Sequence, residues 1–559
     1  MSILPPSNEP RENTRRPASE TQGSSALNRE GVLLESDVPV SRSLIWGLQR
    51  DFYAQRGLKS WTDDMVPQFI TNNPFIAEIY ARVVFGFICD CIDPEEENSR
   101  RPSVQNPLRI LELGAGIGKF AFLFLRHLEA LLQSRDISLS TVRYCMTDCS
   151  HSLMQTWLTH KCLSDFFERG ILRFELLDAS DEITPRFLEE DASQSAEQAS
   201  GPLVVIANYV FDSLPNDAFA IERGQAFERL QTTTAAFRDS ANTIPVDLSR
   251  LKFSYRNVEI TADHYPDPTW NSILDLYRRR LPAATVLFPS QVLTILHAIR
   301  KFTNGTMLVL ASDKGYACED SLLASQGTPT LEFHAVNCFS QMVNFDAIAK
   351  YFEATGGVAL LPDKHFSSLD FCAFLQGPPG HQFLATKTRY QEARSNIGPD
   401  DLFALLGWLN PHMEEMSVPQ VLALLRFSRW DPTTLVRLFP VLARQIRTVS
   451  AERHDLRNAV MLTWANHFPI TPDENILAFH CGVILLELRF YEEAFSMLKR
   501  SQDLLGRSAA TSYNLGLCSL GLGRSSEALA LMFEACQLDP AFEPAQLLRR
   551  KLEDEQVTR

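Results

Sequence analysis

Leu111-Glu112-Leu113-Gly114-Ala115-Gly116-Ile117-Gly118 decides the fold of this 559-residue chain. Mostly apolar residues from Leu108 to Leu113 run into three glycines within five positions. A helical pattern follows from Phe120 to about Leu132. Strand, tight glycine turn and helix are the means by which an α/β domain brings backbone N–H groups against a nucleotide-like ligand. Glycine costs strand and helix stability, so three in one turn call for a reason; the plain alternative is a glycine turn that binds nothing. A dinucleotide fingerprint would put its third glycine at 119, where Lys119 stands; here the third is Gly118.

Outward from this turn, short apolar runs alternate with helical patterns, the signature of an α/β layer. The candidate strands are Leu108–Leu113, Val142–Thr147, Leu172–Leu176, Val204–Ala207 and Met307–Ala311. Residues 192–201 read as a small-residue loop and 232–270 as irregular. Helices at 271–280 and 290–302 lie between the fourth and fifth strands, so 225–302 is expected to be a helical cap over a substrate site. Upstream, 1–40 is polar and rich in Pro, Ser, Glu and Arg, as in a disordered tail. Helical patterning over 41–106 carries the apolar anchors Trp46, Phe52, Tyr53 and Trp61. Asn73-Pro74-Phe75 opens a helix to Ile92, with proline where helix starts tolerate it. The α/β domain is expected over 107–376, and Gly377-Pro378-Pro379-Gly380 begins a linker to 400.

Composition narrows the function class. Hydrophobic residues make up 45% and charged residues 22%, as in globular proteins, with a net charge of −15 and no basic stripe. No nucleic-acid partner is expected. Glu78, Arg82 and Asp90 interrupt the apolar helix 76–92, so no membrane span is expected. The eleven cysteines show no repeated C-x-x-C spacing, so no metal is expected, and the plain reading is reduced thiols in the cytoplasm. The first residues lack the apolar segment of a secretory signal.

The last third, 401–559, is helical and repeats. Gly482, Ala494 and Ser501 are followed 34 positions later by Gly516, Ala528 and Ala535, and Leu498 by Met532; Pro540 ends the second unit. Units 475–508 and 509–542 resemble tetratricopeptide repeats (TPR), whose small residues let paired helices approach closely. Such arms are docking surfaces, so a protein or peptide acceptor bound on the repeats is the expected partner. The sequence leaves the oligomeric state open.

Three strand ends carry candidate chemistry. Asp148 ends the second strand, where a carboxylate can accept both hydroxyls of a ribose; the alternative is a turn former. Asp178 ends the third, among the polar options Asp178-Ala179-Ser180-Asp181. The fourth runs into Ala207-Asn208-Tyr209-Val210-Phe211-Asp212-Ser213-Leu214-Pro215. Asn208 would face the open end of the sheet, its carbonyl accepting from an amine, and Asp212 would hold a cationic substrate or take a proton. Both alternatively close a turn before Pro215.

Glu112-x-Gly114-x-Gly116-x-Gly118 resembles the first motif of the class I methyltransferases, which bind S-adenosylmethionine (SAM). Together with Phe69–Phe75, Thr147–Leu153, Ala207–Pro215, Leu308–Gly315 and Val343–Asp346, it is similar in order to the MidA-like SAM-dependent methyltransferases, the family that includes the mitochondrial complex I assembly methyltransferase. The resemblance covers about 65–376. It implies a Rossmann-like class I methyltransferase domain with a helical N-terminal extension and an inserted cap, followed by the all-α TPR-like domain. SAM would be the cofactor, held by Glu112, Gly114, Ala115, Gly116, Gly118, Asp148, Asp178 (against the adenine amino group) and Asn208. Methyl transfer would fall to Asn208 and Asp212. The family also suggests protein arginine as acceptor, but its usual Glu after the Asn is Tyr209 here. A Tyr cannot grip a guanidinium bidentately, though it can stack on a cation or simply pack. The other readings are a small-molecule methyltransferase and a SAM-binding assembly factor that acts through its repeats.

Overall fold

The computed structural model describes residues 32–557 except 64–69, 93–101, 105, 180–185, 191–200, 236–246, 304, 325–328, 330, 336, 363–368 and 396–398. Phe69, residues 1–31 of the expected tail, residues 192–200 of the expected loop and most of the 93–106 connection lie outside the described residues. The chain divides into two compact units at residue 403.

The first unit is built on a seven-stranded sheet. Its strands are β1 (Leu108–Leu113), β2 (Val142–Asp148), β3 (Leu172–Leu176), β4 (Leu203–Asn208), β5 (Met307–Asp313), β6 (Val358–Leu360) and β7 (Asp370–Gln376). Their spatial order is 3-2-1-4-5-7-6. Strands β1 to β5 run parallel, and β7 is antiparallel to both β5 and β6. All six residues of β1 are buried, as expected for a central strand covered on both faces. Leu111, Leu113, Val205, Ala207, Val309 and Phe374 pack one face against the helices Pro268–Arg280, Ser290–Arg300 and Phe345–Ala354. The order reverses between β1 and β4, and a sheet of this kind leaves a crevice outside its strand ends at that reversal.

Two expectations change here. The insertion is not a helical cap. Asp217–Glu222, Gln225–Ala235, Leu251–Glu259 and Ala283–Phe288 form a second, antiparallel sheet, beside which helix Pro268–Arg280 follows. Its hairpin turns at Arg223-Gly224, both at positive φ, a conformation that suits a tight reversal. Val32–Pro39 adds an edge strand to this sheet by pairing with Gln225–Ala235, so the polar stretch up to residue 40 ends in structure. The run Val32-Leu33-Leu34 supplies the β-forming residues that its composition as a whole hides.

The stretch 377–400 also holds more than a connection. Leu384–Ser395 is a helix beside Pro74–Cys91. Asp90 caps its start, accepting N–H groups from Ala385 (2.9 Å) and Thr386 (2.8 Å) and the Thr386 hydroxyl (2.6 Å). A Cβ on Gly86 would lie 2.9 Å from the Ala385 carbonyl oxygen, so the bare backbone there lets the two helices touch.

The described residues of the second unit are helical, with the turns between the helices. Its hairpins Ile476–Glu487 with Tyr491–Leu505 and Ala509–Gly521 with Ser525–Leu538 are followed by Glu543–Val557. The close approaches recur with the sequence period: a Cβ on Gly482 would meet Leu498 Cγ at 2.6 Å, and one on Gly516 would meet Met532 Cε at 2.1 Å. Among the described residues, no helix is long and apolar enough to cross a membrane.

Candidate functional site

The glycine turn after β1 takes its shape from three left-handed residues: Gly114 (φ +61°), Gly116 (+54°) and Gly118 (+82°). Side chains there would be strained and crowded. A Cβ at Gly114 would lie 2.7 Å from Val210 Cγ2, and one at Gly118 2.7 Å from Met146 Cε. The turn is fastened from outside. Ala115 N–H donates to the Thr147 carbonyl (2.8 Å), Trp157 Nε1–H to the Gly116 carbonyl (2.9 Å) and Gly116 N–H to Asp148 Oδ2 (3.1 Å).

Above the turn lies a cleft of about 1120 Å³, counting its open mouth. Glu112, Gly114, Ala115, Gly116, Asp148, Asp178 and Asn208 all line it. Gly118 does not; it starts the following helix, against Met146 and Trp157. Asp212 does not line it either, although Ser213, Leu214 and Pro215 do.

The opposite wall comes from the N-terminal helices. Trp46, Gln49, Arg50 and Tyr53 lie at i, i+3, i+4 and i+7 on helix Leu44–Arg56, which is one helical face, and Trp61 completes the wall. The sequence showed their apolar members only as anchors; the polar Gln49 and Arg50 between them were the signal for a site-facing stripe. Arg50 pairs with Asp178 at 3.6 Å. The acid expected against an adenine amino group therefore already faces a cation.

Burial sets the electrostatics. Glu112 is 4% exposed, its Oε2 has no partner in hydrogen-bond geometry, and loss of hydration pushes its pKa up to about 8 against the opposing effect of the nearby Tyr144 hydroxyl. Burial also raises the pKa of Asp148, opposed by the N–H groups of Gly116 and Ser150, one on each oxygen. The N–H and the thiol of the adjacent Cys149 oppose it as well.

Asn208 differs from expectation. The Tyr80 hydroxyl, itself bonded to Ser312 Oγ, donates to Asn208 Oδ1, which keeps one lone pair, and the buried Nδ2 has no partner. The cleft therefore meets a donor at Asn208, and Tyr80 is a functional residue that sequence reasoning missed. Tyr209 sits at φ +53°, a costly conformation for a side chain of its size. Its N–H is tied to the Ser312 carbonyl at 3.0 Å.

Asp212 lies beneath the surface of the cleft. It accepts from the Ser213 hydroxyl at 2.9 Å, and burial pushes its pKa up to about 7. Asp313, fully buried, is also shifted well up, by burial and by the charge of Asp212.

A glycine turn at a sheet reversal, with acids at the neighbouring strand ends, defines an α/β domain for a nucleoside-containing cofactor. Residues 96–369 match the family model described as "Putative S-adenosyl-L-methionine-dependent methyltransferase". That stretch is a SAM-dependent methyltransferase domain of the MidA-like kind, with SAM as its cofactor and methyl donor. A comparison with the curated proteins found no match. Among solved structures, the chain is similar to an uncharacterized protein from Burkholderia thailandensis at 16% identity and TM-score 0.38, covering 62% of this chain and 89% of that one. A second Burkholderia thailandensis protein, described as a "likely methyl transferase" and bound to S-adenosyl-homocysteine (SAH), is 15% identical, with TM-score 0.37 and coverages of 66% and 86%. The CMeT domain of the citrinin polyketide synthase is 12% identical, with TM-score 0.24 and coverages of 49% and 48%.

Proposed function

We propose that the enzyme methylates a nitrogen on a protein acceptor, with SAM lying across the strand ends and the TPR-like unit docking the protein. The observation that carries the cofactor placement is a pair of orphaned atoms. Glu112 Oε2 lacks a donor and Asn208 Nδ2 lacks an acceptor, and both line one cleft. Glu112 pairs with Ile206 across β1 and β4, so Asn208, two residues further on, shares its face. An ammonium and a carboxylate on one carbon, the amino-acid end of SAM, would satisfy both. The positive φ of Gly114 and Gly116 keeps the turn below that end free of side chains. Asp148 would take the ribose hydroxyls, and Asp178 would stand near the base.

When bound, SAM supplies an activated methyl group. The chain's own part is to orient the acceptor and exclude water, which an in-line displacement chiefly needs. Asp212 is a proton sink reached through Ser213, whose hydroxyl it already holds. Tyr209 offers a guanidinium no bidentate partner, so arginine ranks behind amine or amide acceptors. The eleven thiols suit a reducing, cytoplasmic setting.

The test is calorimetric titration with SAH, followed by transfer of tritiated methyl groups into cell lysate. Label in a protein band is expected. Label confined to small molecules would replace the protein acceptor with a metabolite. Tight SAH binding without any label would make the chain a cofactor-binding assembly factor.

A further inference from the structure

We infer that Gln49 reads the methyl acceptor, its Oε1 receiving an N–H from a nitrogen nucleophile such as an amine or amide, between the aromatic faces of Trp46 and Tyr53. This rests on the SAM placement above and adds the second ligand to it.

Asp148 already holds two backbone N–H groups, Asp178 faces Arg50, and Asn208 Oδ1 accepts from Tyr80. Among the described lining residues, two side-chain acceptor atoms are buried without a donor: Glu112 Oε2 and Gln49 Oε1. Glu112 immediately precedes the turn and suits the cofactor's ammonium. Gln49 is left for another molecule, and a buried carbonyl without a donor is destabilising until it finds one.

Its side chain cannot swing away to find that donor elsewhere. Gln49 is 3% exposed, and its Nε2 donates to the Phe339 carbonyl at 2.5 Å, which fixes the direction of Oε1. The same anchor places it at the transfer end. Trp46 packs on the Phe339 ring at 5.1 Å, Tyr53 Oη lies 3.2 Å from Cys338 Sγ, and Gln341 N–H donates to the Asp212 carbonyl at 2.9 Å. The helix is thus fastened to the segment that braces the Asp212–Pro215 turn. Gln49 also lies outside residues 96–369, so it is a feature of the chain's own N-terminal extension.

The test uses the full-length protein, Gln49→Leu and Gln49→Glu, with SAH calorimetry and tritiated methyl transfer into lysate protein. Gln49→Leu removes the acceptor oxygen and the Phe339 tie; Gln49→Glu keeps an acceptor oxygen but replaces the donor of the tie with a carboxyl group. SAH affinity within about twofold of wild type is expected in both, with transfer down about tenfold or more in Gln49→Leu and within about threefold in Gln49→Glu. Equal loss in both variants would make Gln49 a brace for Phe339. A fall in SAH affinity would make it a cofactor contact, and unchanged transfer in Gln49→Leu would remove it from the site; each overturns the inference. Failure of wild-type protein to bind SAH would instead strike the cofactor placement itself.

Discussion

The two walls of the cleft are made differently. The sheet-edge wall includes Glu112, Gly114, Ala115, Gly116, Asp148 and Asn208, all within a few residues of a strand end, and much of it is backbone. The helical wall is a stripe of side chains, Trp46, Gln49, Arg50 and Tyr53, held on a helix by packing. Backbone geometry at a strand end tolerates little change, whereas a helical stripe can exchange residues and keep its shape. The sheet edge is therefore suited to an invariant cofactor and the helix to a variable acceptor.

The largest effect that would break this contrast is at the turn. Gly116→Val should lower SAH affinity by about a hundredfold or more, since φ +54° strains any side chain and its Cβ would press the Trp61 ring at 3.3 Å. Unchanged calorimetric affinity would mean that the turn is not the cofactor's seat. Next, Asp148→Ala should cost about ten- to a hundredfold, as loss of a charged hydrogen-bond partner does, and would also release the Gly116 N–H. An affinity within twofold of wild type would move the ribose elsewhere.

Glu112→Gln sharpens the electrostatics. The pKa of Glu112 rises on folding from the ordinary carboxylate range to about 8, so its contribution to stability is present at low pH and is lost as pH rises through 8. The Gln variant should flatten the fall in melting temperature between pH 6 and 8. It should also weaken SAH binding and abolish proton release on binding, measured in buffers of different ionisation enthalpy. A melting curve with the wild-type pH slope would refute the assignment. The smallest effect belongs to the helical wall: Arg50→Ala should shift SAH affinity by no more than about threefold, because a half-exposed ion pair is worth about 1 kcal/mol or less. A tenfold loss would erase the distinction between the walls.

Legibility in the sequence follows the same division. Strands β4 and β5 stood out as nearly unbroken apolar runs, β1 and β2 as apolar runs with a polar residue or two, the edge strand β3 by its alternation, and the turn because three glycines had no other use. Strands β6 and β7 did not, since Val358–Leu360 is three residues long and Asp370 opens β7 with a buried acid. The second sheet was hidden by its Gln, Thr and Arg content. Its Gln231 and Thr233 are buried in a polar network with Glu35 and Ser43, so alternation of apolar residues could not mark it. Among site residues, those at strand ends could be named from position alone. The capture of the Asn208 carbonyl by Tyr80, 128 residues away, is a tertiary fact that no local pattern carries.

The bond from Gln49 to Phe339 spans 290 residues. On a ribosome adding about 5–20 residues per second, the N-terminal helix waits roughly 15–60 s for the segment that anchors it. Until then the helix lacks this tie, and from the synthesis of Gly118 onward the glycine turn is present beside a wall not yet fastened. A chaperone, or the cofactor arriving early, has its opening then, and a stalled or truncated chain would be left with its catalytic hollow permanently ajar.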